Sequence, residues 1–323
     1  MRNAQKVNQE QILSALFGLA IGDALGVPVE DESRVSLKHN PVISMREFGK
    51  HNQMAGNWSD DSSMTFCLAE SLCKGYDLED IARNFVDWIF NGTWCAGDEA
   101  FDYGNVTYKA LNRLHNLMQL HRKINPKKGK HEHECSNGSL MRTLPLAFFM
   151  MNLPVEERFR ITDEVSRLTH GHPQPSLACH IYLEFARELL SGYGKQEAYR
   201  NMQQQVNAFI PTVPDLQTES THFKRILLED ISLMPENEIQ SNGKAVHTLE
   251  ASLWCLLRYD NFRDTILAAV NLGEDTDTTA AVTGGLAGLF YGYDQIPTEW
   301  IDVLARRDDI EDLCKRMALS ILR

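Results

Sequence analysis

The chain has 323 residues, of which 43% are hydrophobic and 24% charged, a composition typical of a folded protein with a large core. Its formal net charge of -12 argues against binding nucleic acid through general positive charge, so no nucleic-acid partner is predicted. The polar segment 1–11 lacks the pattern of a signal peptide, and seven scattered cysteines favour reduced thiols in a cytoplasmic location. The longest low-charge run, about 278–293, is too short to span a bilayer, so no membrane association is predicted.

The N-terminal segment has a helical pattern. Apolar residues recur every three or four positions across 12–20, which predicts an amphipathic helix ending near Pro28. Three glycines spaced by four within 18–26 would lie on one helix face and let another backbone approach closely. Glu30 follows in a loop, where a glutamate is usually solvated.

Helical periodicity also dominates the rest of the chain, apart from an irregular connection predicted at 31–57. Helices are predicted at 62–75, 78–90, 106–120, 140–146, 161–169, 175–190, 246–258, 265–272 and 279–290, with short helices in 191–245 and two in 298–322. No sustained period-two alternation is visible. We therefore predict an all-α protein with a single domain over 1–323.

Two acidic clusters combine carboxylates with hydroxyl side chains, and each opens a helical segment. The first is Ser-Asp-Asp-Ser at 59–62, and the second is Gly-Glu-Asp-Thr-Asp-Thr-Thr at 273–279. Serine, threonine and aspartate are common helix caps, so either cluster alone is explained by capping. Their oxygen atoms are also the ligands that hard divalent cations prefer, and the occurrence of two similar clusters predicts a metal site.

Three further stretches are candidates for loops with a function. Residues 91–105 form a long segment rich in glycine, aspartate and aromatic residues, which is typical of a site loop. The small polar loop 136–139 precedes a helix predicted from Leu140, an arrangement that can bind an anion. The basic stretch 121–135 contains His131, His133 and Cys135, but their spacing matches no usual structural zinc pattern, so a surface loop is predicted.

Six short motifs occur in a fixed order between about residues 10 and 300. They are Gly22-Asp23-Ala24-Leu25-Gly26 with Glu30, Ser59-Asp60-Asp61-Ser62, Phe101-Asp102-Tyr103-Gly104-Asn105, Asn137-Gly138-Ser139 with Met141-Arg142, Thr169-His170, and Asp275-Thr276-Asp277-Thr278. Together they resemble the ADP-ribosylglycohydrolase family, which includes the bacterial dinitrogenase reductase-activating glycohydrolase. The resemblance implies an orthogonal bundle of helices.

The resemblance further implies hydrolysis of the bond that joins ADP-ribose to a protein side chain or small acceptor, with ADP-ribose as a product. It implies two Mg²⁺ or Mn²⁺ ions between the acidic clusters. The ligands implied by the resemblance are Ser59, Asp60, Asp61, Asp275, Asp277 and Thr278.

Other roles are likewise implied by the resemblance. Glu30 corresponds to an acidic residue that closes over the metal site, and Asp102 to an acidic residue near the scissile bond in the arginine-specific bacterial branch. A competing interpretation is that Asp102 caps the helix beginning near Asn105. The implied substrate-binding residues are Tyr103, Gly104, Asn137, Gly138 and Ser139, through backbone N–H groups to the diphosphate, and His170 in the same pocket.

The chain departs from the family pattern at three places. Ser59 stands where threonine is usual, Glu274 stands where glycine is common, and 121–135 is an insertion without an assigned role. The leading hypothesis is a hydrolase of arginine-linked ADP-ribose on proteins. The alternatives are a hydrolase of serine-linked or free ADP-ribose derivatives, an immunity protein that also occludes an ADP-ribosylating toxin, and a catalytically silent scaffold.

Overall fold

The computed structural model describes residues 7–125 and 135–321, and within these ranges it contains no β-strand, which confirms the all-α prediction. The α-helices are α1 Gln9–Gly26, α2 Arg34–His39, α3 Asp60–Leu72, α4 Leu78–Asn91, α5 Asn105–Gln119, α6 Pro145–Phe149, α7 Val155–Ser166, α8 Pro173–Leu190, α9 Lys195–Phe209, α10 Pro214–Glu219, α11 Lys224–Leu228, α12 Ala245–Arg258, α13 Phe262–Asn271, α14 Thr276–Tyr291, α15 Thr298–Ile301 and α16 Arg307–Ile321. Short 3-10 turns include Val27–Val29 and Gly49–His51.

Several predictions about the helices differ from the structure: α7 spans Val155–Ser166 instead of 161–169, and the stretch predicted as irregular contains α2. The stretch predicted to hold only short helices contains the 15-residue α9, and α16 also has 15 residues instead of being short. The helix predicted from Leu140 begins at Pro145, because residues 140–144 form turns and proline is favoured in a first helical turn. The loop 136–139 therefore does not lie at a helix N-terminus.

Helices α1 and α14 cross with their backbones in close contact, as the glycine spacing predicts. A Cβ atom on Gly22 would overlap the backbone of Ala280, and a Cβ atom on Gly18 would overlap that of Gly284. This approach places the C-terminal half of α1 against the first turns of α14, where Asp277 lies. The crossing therefore brings the N-terminal motif next to the second acidic cluster.

The most apolar long helix is α1 with the turn after it, and not the low-charge run 278–293. The described residues contain one helix that is long and apolar enough to cross a membrane by length and composition, over Gln9–Val29, with a mean hydropathy of 1.9. Within the protein, 94% of this window is buried, because the helix packs against α14 and α16. Such burial is the expected environment of a central core helix.

The core joins both ends of the described chain. Buried side chains from Val7 to Ala318 belong to one hydrophobic cluster, and α16 packs on α1 and α3. All seven cysteines are free. Of the insertion 121–135, residues 126–134 lie outside the described residues, and so do His131 and His133 of the zinc hypothesis.

Candidate active site

The first acidic cluster forms the N-terminus of α3. Ser59 is the N-cap: its Oγ accepts a hydrogen bond from the Asp61 backbone N–H at 3.3 Å and donates to Asp61 Oδ2 at 2.8 Å. Asp60 and Asp61 occupy the first turn, where the helix dipole stabilises negative charge. Residues 59–61 thus both cap the helix and form the first carboxylate cluster.

The start of the second cluster is connected by backbone hydrogen bonds to the segment that follows Glu30. Gly273 and Glu274 both have left-handed backbone conformations, with φ angles of 80° and 63°. Glu274 donates its N–H to the Glu32 carbonyl at 2.7 Å and accepts one from Asp31 at 2.8 Å. The left-handed conformation at Glu274 explains why glycine is common at this position. These two hydrogen bonds also fix the segment that follows Glu30 to the start of the second cluster.

The two clusters converge although they are far apart in the sequence. Carboxylate oxygens of Asp23, Asp61 and Asp277 all lie within 4.8 Å of one another, and Thr278 Oγ1 donates to Asp61 Oδ2 at 3.4 Å. Among residues 7–125 and 135–321, Asp61 Oδ1 and Asp277 Oδ2 are buried without a hydrogen-bond partner. Unpaired carboxylate oxygens of this kind fit a hard divalent cation.

Burial and mutual repulsion raise the pKa of these carboxyl groups. Burial raises the pKa of Asp60 strongly, and the charges of Asp23 and Asp275 raise it further. Burial and then the charges of Asp23 and Asp277 do the same for Asp61. So many buried carboxyl groups require protons or a bound cation to be stable, and a divalent cation would meet this requirement.

Asp23 is a site residue that sequence reasoning did not single out. It is fully buried, and it accepts hydrogen bonds from the Ser59 backbone N–H at 2.9 Å and from Ser62 Oγ at 2.6 Å. Burial raises its pKa to about 6. Asp23 therefore supports the first turn of α3. A charged residue in the middle of an otherwise apolar helix was the available signal.

Asp102 lies at the edge of the acidic clusters and does not cap a helix. The N-cap of α5 is Gly104, without a side-chain capping hydrogen bond in the described chain, so the capping interpretation is wrong. The Asp102 backbone is left-handed, with φ 66°, and its carboxyl group lies beside that of Asp277. Burial, together with the charges of Asp60 and Glu30, raises the pKa of Asp102 to about 9.

Glu30 is held by a partner that the sequence did not reveal. His51 Nε2 is hydrogen-bonded to Glu30 Oε2 and lies 3.4 Å from Asp102 Oδ1. Although burial raises the pKa of Glu30, the hydrogen bond and charge of His51 and the charge of Lys50 lower it overall. Glu30 is therefore a paired carboxylate. His51 belongs to the stretch 31–57, whose irregular sequence offered no signal for this role.

Tyr103 and Gly104 lie where α5 begins. The Tyr103 ring stacks on Tyr108 with ring centroids 5.7 Å apart and meets the edge of Trp88 at 5.9 Å. It remains 37% exposed. No described atom lies within 4 Å of a Cβ built on Gly104, so the side of Gly104 where a side chain would stand is open. Such a helix N-terminus favours an anion.

The turn 137–139 connects this region to the second acidic cluster. Asn137 Nδ2 donates to Asp275 Oδ2 at 2.8 Å. A Cβ on Gly138 would lie 3.0 Å from the ring of His170. The Ser139 hydroxyl points away into the core, where it accepts a hydrogen bond from Ser166 Oγ at 2.9 Å. Ser139 is 0% exposed as a whole residue, and the Asn137 backbone N–H is donated to the Gly243 carbonyl at 3.1 Å, so Gly138 is the partly exposed member of the predicted trio.

The buried side chain of His170 packs against the turn 137–139 from the interior of the protein. Its Nε2 pairs with Ser136 Oγ at 2.9 Å and its Nδ1 with Thr169 Oγ1 at 2.8 Å, so both ring nitrogens are engaged by hydroxyl groups. Burial and the charge of Arg142 lower the pKa of His170 to about 3, which keeps the ring neutral. Arg142 also donates to the Gly138 carbonyl at 3.0 Å. The predicted pocket residue is thus a buried support of the pocket.

Comparison with known proteins identifies the class of this fold and site. The family model described as ADP-ribosylglycohydrolase matches residues 4–323. The "ADP-ribosylarginine hydrolase Tri1" of Serratia proteamaculans (strain 568) is 32% identical over 311 residues, covering 94% of this chain and 77% of that protein. The "ADP-ribosyl-[dinitrogen reductase] glycohydrolase" of Rhodospirillum rubrum is 28% identical over 306 residues, covering 91% and 90%.

A solved structure agrees with these sequence matches. The "ADP-ribosylglycohydrolase-related protein complex" superposes with a TM-score of 0.79 at 30% identity, covering 97% of this chain and 98% of that one. The chain belongs to the ADP-ribosylglycohydrolase family, and it is a hydrolase of the ADP-ribosylglycohydrolase type. The family resemblance predicted from the six motifs is confirmed.

Proposed function

We propose that this protein removes ADP-ribose from arginine side chains of modified proteins, using two Mg²⁺ or Mn²⁺ ions. The observation that carries the proposal is the convergence of two acidic clusters around buried, unpaired carboxylate oxygens of Asp61 and Asp277. The similarity to proteins named as hydrolases of ADP-ribosylarginine and of ADP-ribosyl-dinitrogen reductase supports the reaction class. We also propose that the protein acts in the cytoplasm, as its sequence predicts.

In this proposal the ions are held by oxygen atoms of both clusters: Ser59, Asp60, Asp61, Asp275, Asp277 and Thr278. When bound, such ions orient the ribose hydroxyls and stabilise the charge that develops on the sugar. The uncapped start of α5 at Gly104 and the partly exposed backbone of Gly138 receive the diphosphate, since N–H groups at a helix start or turn bind anions.

The proposed arginine linkage rests on Asp102. Its carboxyl group lies beside Asp277 and His51, at the edge of the clusters and not among their most buried oxygens. A guanidinium is planar and presents a fork of donors, which a single carboxylate can accept in pairs. A carboxyl group in this position can also exchange a proton with the leaving group or the attacking water.

The substrate is tested by incubating the protein with arginine-, serine- and aspartate-linked ADP-ribosyl proteins, each with Mg²⁺, with Mn²⁺ and with EDTA. We expect metal-dependent release of label from the arginine-linked substrate. Release from the serine-linked substrate alone would contradict the linkage, and undiminished release in EDTA would contradict the use of metal.

The metal site is tested with Asp277→Ala. Because the unpaired oxygen is removed, we expect loss of divalent-ion binding in calorimetry while the helical circular dichroism is retained. Binding of Mn²⁺ to Asp277→Ala with the stoichiometry of the wild type would refute the assignment.

The role of Asp102 is tested by Asp102→Ala and Asp102→Asn on the arginine-linked substrate. A lost acid–base group costs roughly 100-fold or more in turnover. We expect this loss in both variants with Mn²⁺ binding unchanged. Wild-type turnover by Asp102→Asn would show that the carboxyl group is dispensable and reopen the choice of linkage.

A further inference from the structure

The turn that carries His51 is docked against the segment that carries Glu30. Its backbone is unusual: Phe48 and Asn52, neither of them glycine, have positive φ angles of 64° and 52°. Between them Gly49, at φ 57°, lies so close to Pro28 that a Cβ atom would overlap the Pro28 backbone. Such left-handed conformations cost free energy and persist only where the surrounding structure enforces them.

Two side chains of this turn pair with consecutive residues of the neighbouring segment. Lys50 pairs with Asp31, and both side chains are largely exposed. His51 pairs with Glu30, and here the side chains are only 15% and 19% exposed. Exposed ion pairs contribute little, whereas a hydrogen bond to a carboxylate shielded from water is stronger. Of the two, the His51 contact is the one able to fix a side chain.

The opposite side of His51 meets a different loop. Its ring lies 5.3 Å from the ring of Phe101, and its Nε2 lies 3.4 Å from Asp102 Oδ1. One imidazole nitrogen thus lies between Glu30 and Asp102, two carboxyl groups that come from loops more than 70 residues apart and repel each other when charged. A carboxylate only accepts hydrogen bonds, so Nε2 of His51 carries the hydrogen that Glu30 receives.

We propose that His51 is a positioning residue for the hydrolysis, which holds Glu30 and Asp102 at a fixed separation beside the metal clusters. The inference rests on the function proposed above. It assigns to the turn 48–53 a task that its sequence does not indicate. Glu30 lies at the end of a 3-10 turn and Asp102 does not cap α5, so His51 supplies a contact that links these two loop residues.

The experiment replaces His51 with residues that remove either the Nε2 hydrogen-bond donor or the aromatic ring. Glutamine places an amide N–H near the position of Nε2, whereas asparagine is too short to do so. Phenylalanine keeps the ring contact with Phe101 but has no donor. We measure kcat and KM on arginine-linked ADP-ribose with Mn²⁺, Mn²⁺ binding by calorimetry and the melting temperature, for all three variants and the wild type.

We expect His51→Phe and His51→Asn to lose roughly 10- to 100-fold in kcat, the scale of one hydrogen bond to a charged group. KM and Mn²⁺ binding should stay near wild type. His51→Gln should recover kcat to within a few-fold of the wild type. The matched control is Lys50→Ala in the same turn, which should stay within a few-fold of wild-type kcat, because its exposed ion pair with Asp31 does not fix the Glu30 side chain.

Several outcomes would overturn the proposal. If His51→Phe retains wild-type kcat, or if His51→Gln is as impaired as His51→Phe, the Nε2 hydrogen bond does not position the carboxyl groups. Loss of one Mn²⁺ equivalent in the His51 variants would make His51 a metal ligand. Failure of the proposed function is distinct, because the wild-type protein itself would then release no label from the arginine-linked substrate.

Discussion

His180 is a buried ionisable residue outside the acidic site, and replacing it tests the electrostatics of α8. The imidazole is 1% exposed and contacts the rings of Phe159 and Phe209, which also contact each other. Neither ring nitrogen has a hydrogen-bond partner in the part of the chain that the structure describes. Burial lowers the pKa of His180 from 6.5 to about 4. Removing the ring does not strand Glu184, which remains bonded to Arg158 at 2.6 Å.

The sign and size of the effect follow from that pKa. Because the folded-state pKa lies below the unfolded one, the unfolded chain binds more protons as the pH falls from 6.5 toward 4. The contribution of neutral His180 to stability is complete above pH 6.5 and is lost below it. Between pH 8 and pH 5 this lowers the free energy of unfolding by about 2 kcal/mol. His180→Leu, which is similar in volume, lacks this loss.

The assay is urea unfolding of metal-free protein at pH 5 and pH 8, followed by tryptophan fluorescence. The stability gain of His180→Leu over wild type should be about 2 kcal/mol larger at pH 5 than at pH 8. Carboxyl groups common to both proteins cancel in this double difference. The exposed His222 supplies the control, since His222→Leu should give a difference near zero. A double difference below about 0.5 kcal/mol for His180→Leu would refute the reasoning.

Three further predictions concern the helix crossing, the acidic cluster and the insertion. Gly22→Ala should destabilise the protein by several kcal/mol and weaken Mn²⁺ binding, because the added Cβ atom would overlap the backbone of Ala280. Thermal unfolding measures the loss of stability, and Gly194→Ala, where a Cβ atom meets no neighbour, is the control. Asp61→Asn should raise the melting temperature in EDTA but lower it relative to wild type with saturating Mn²⁺. Deletion of 124–132 should leave turnover of a small ADP-ribosyl-arginine substrate within a few-fold, as its basic, polar composition suits a solvated loop.

The helices and the acidic clusters could be predicted because their signals are local. Apolar residues spaced by three and four positions predicted α1. The segments 59–62 and 273–279 each contain several oxygen-bearing side chains within four to seven positions, which predicted the acidic clusters. Glycine spacing also predicted that another backbone approaches α1 closely, but not that this backbone is α14. These features depend on neighbours in the sequence, which periodicity and capping describe.

The remaining contacts of the site depend on residues that are far apart. Thr278 meets Asp61 across 217 residues and Asn137 meets Asp275 across 138, and no local pattern specifies such pairs. His51 was missed for the same reason: its partners come from two separate loops. The inward rotation of Ser139 depends on Ser166 of α7, a partner that the motif containing Ser139 does not include.

The buried acidic cluster destabilises the metal-free protein once its carboxyl groups lose their protons, and the pH dependence of stability should reveal this effect. The pKa of buried Asp23 is raised from 3.8 to about 6, so its contribution to stability is complete below pH 3.8 and is lost as the pH rises through 6. This single group costs about 3 kcal/mol at pH 8, and Asp60, Asp61 and Asp277 act in the same direction. A bound cation favours the charged carboxylates, so the rise in melting temperature caused by saturating Mn²⁺ should be larger at pH 8 than at pH 5. An equal rise at both pH values would mean that the buried carboxyl groups are not where the cation binds.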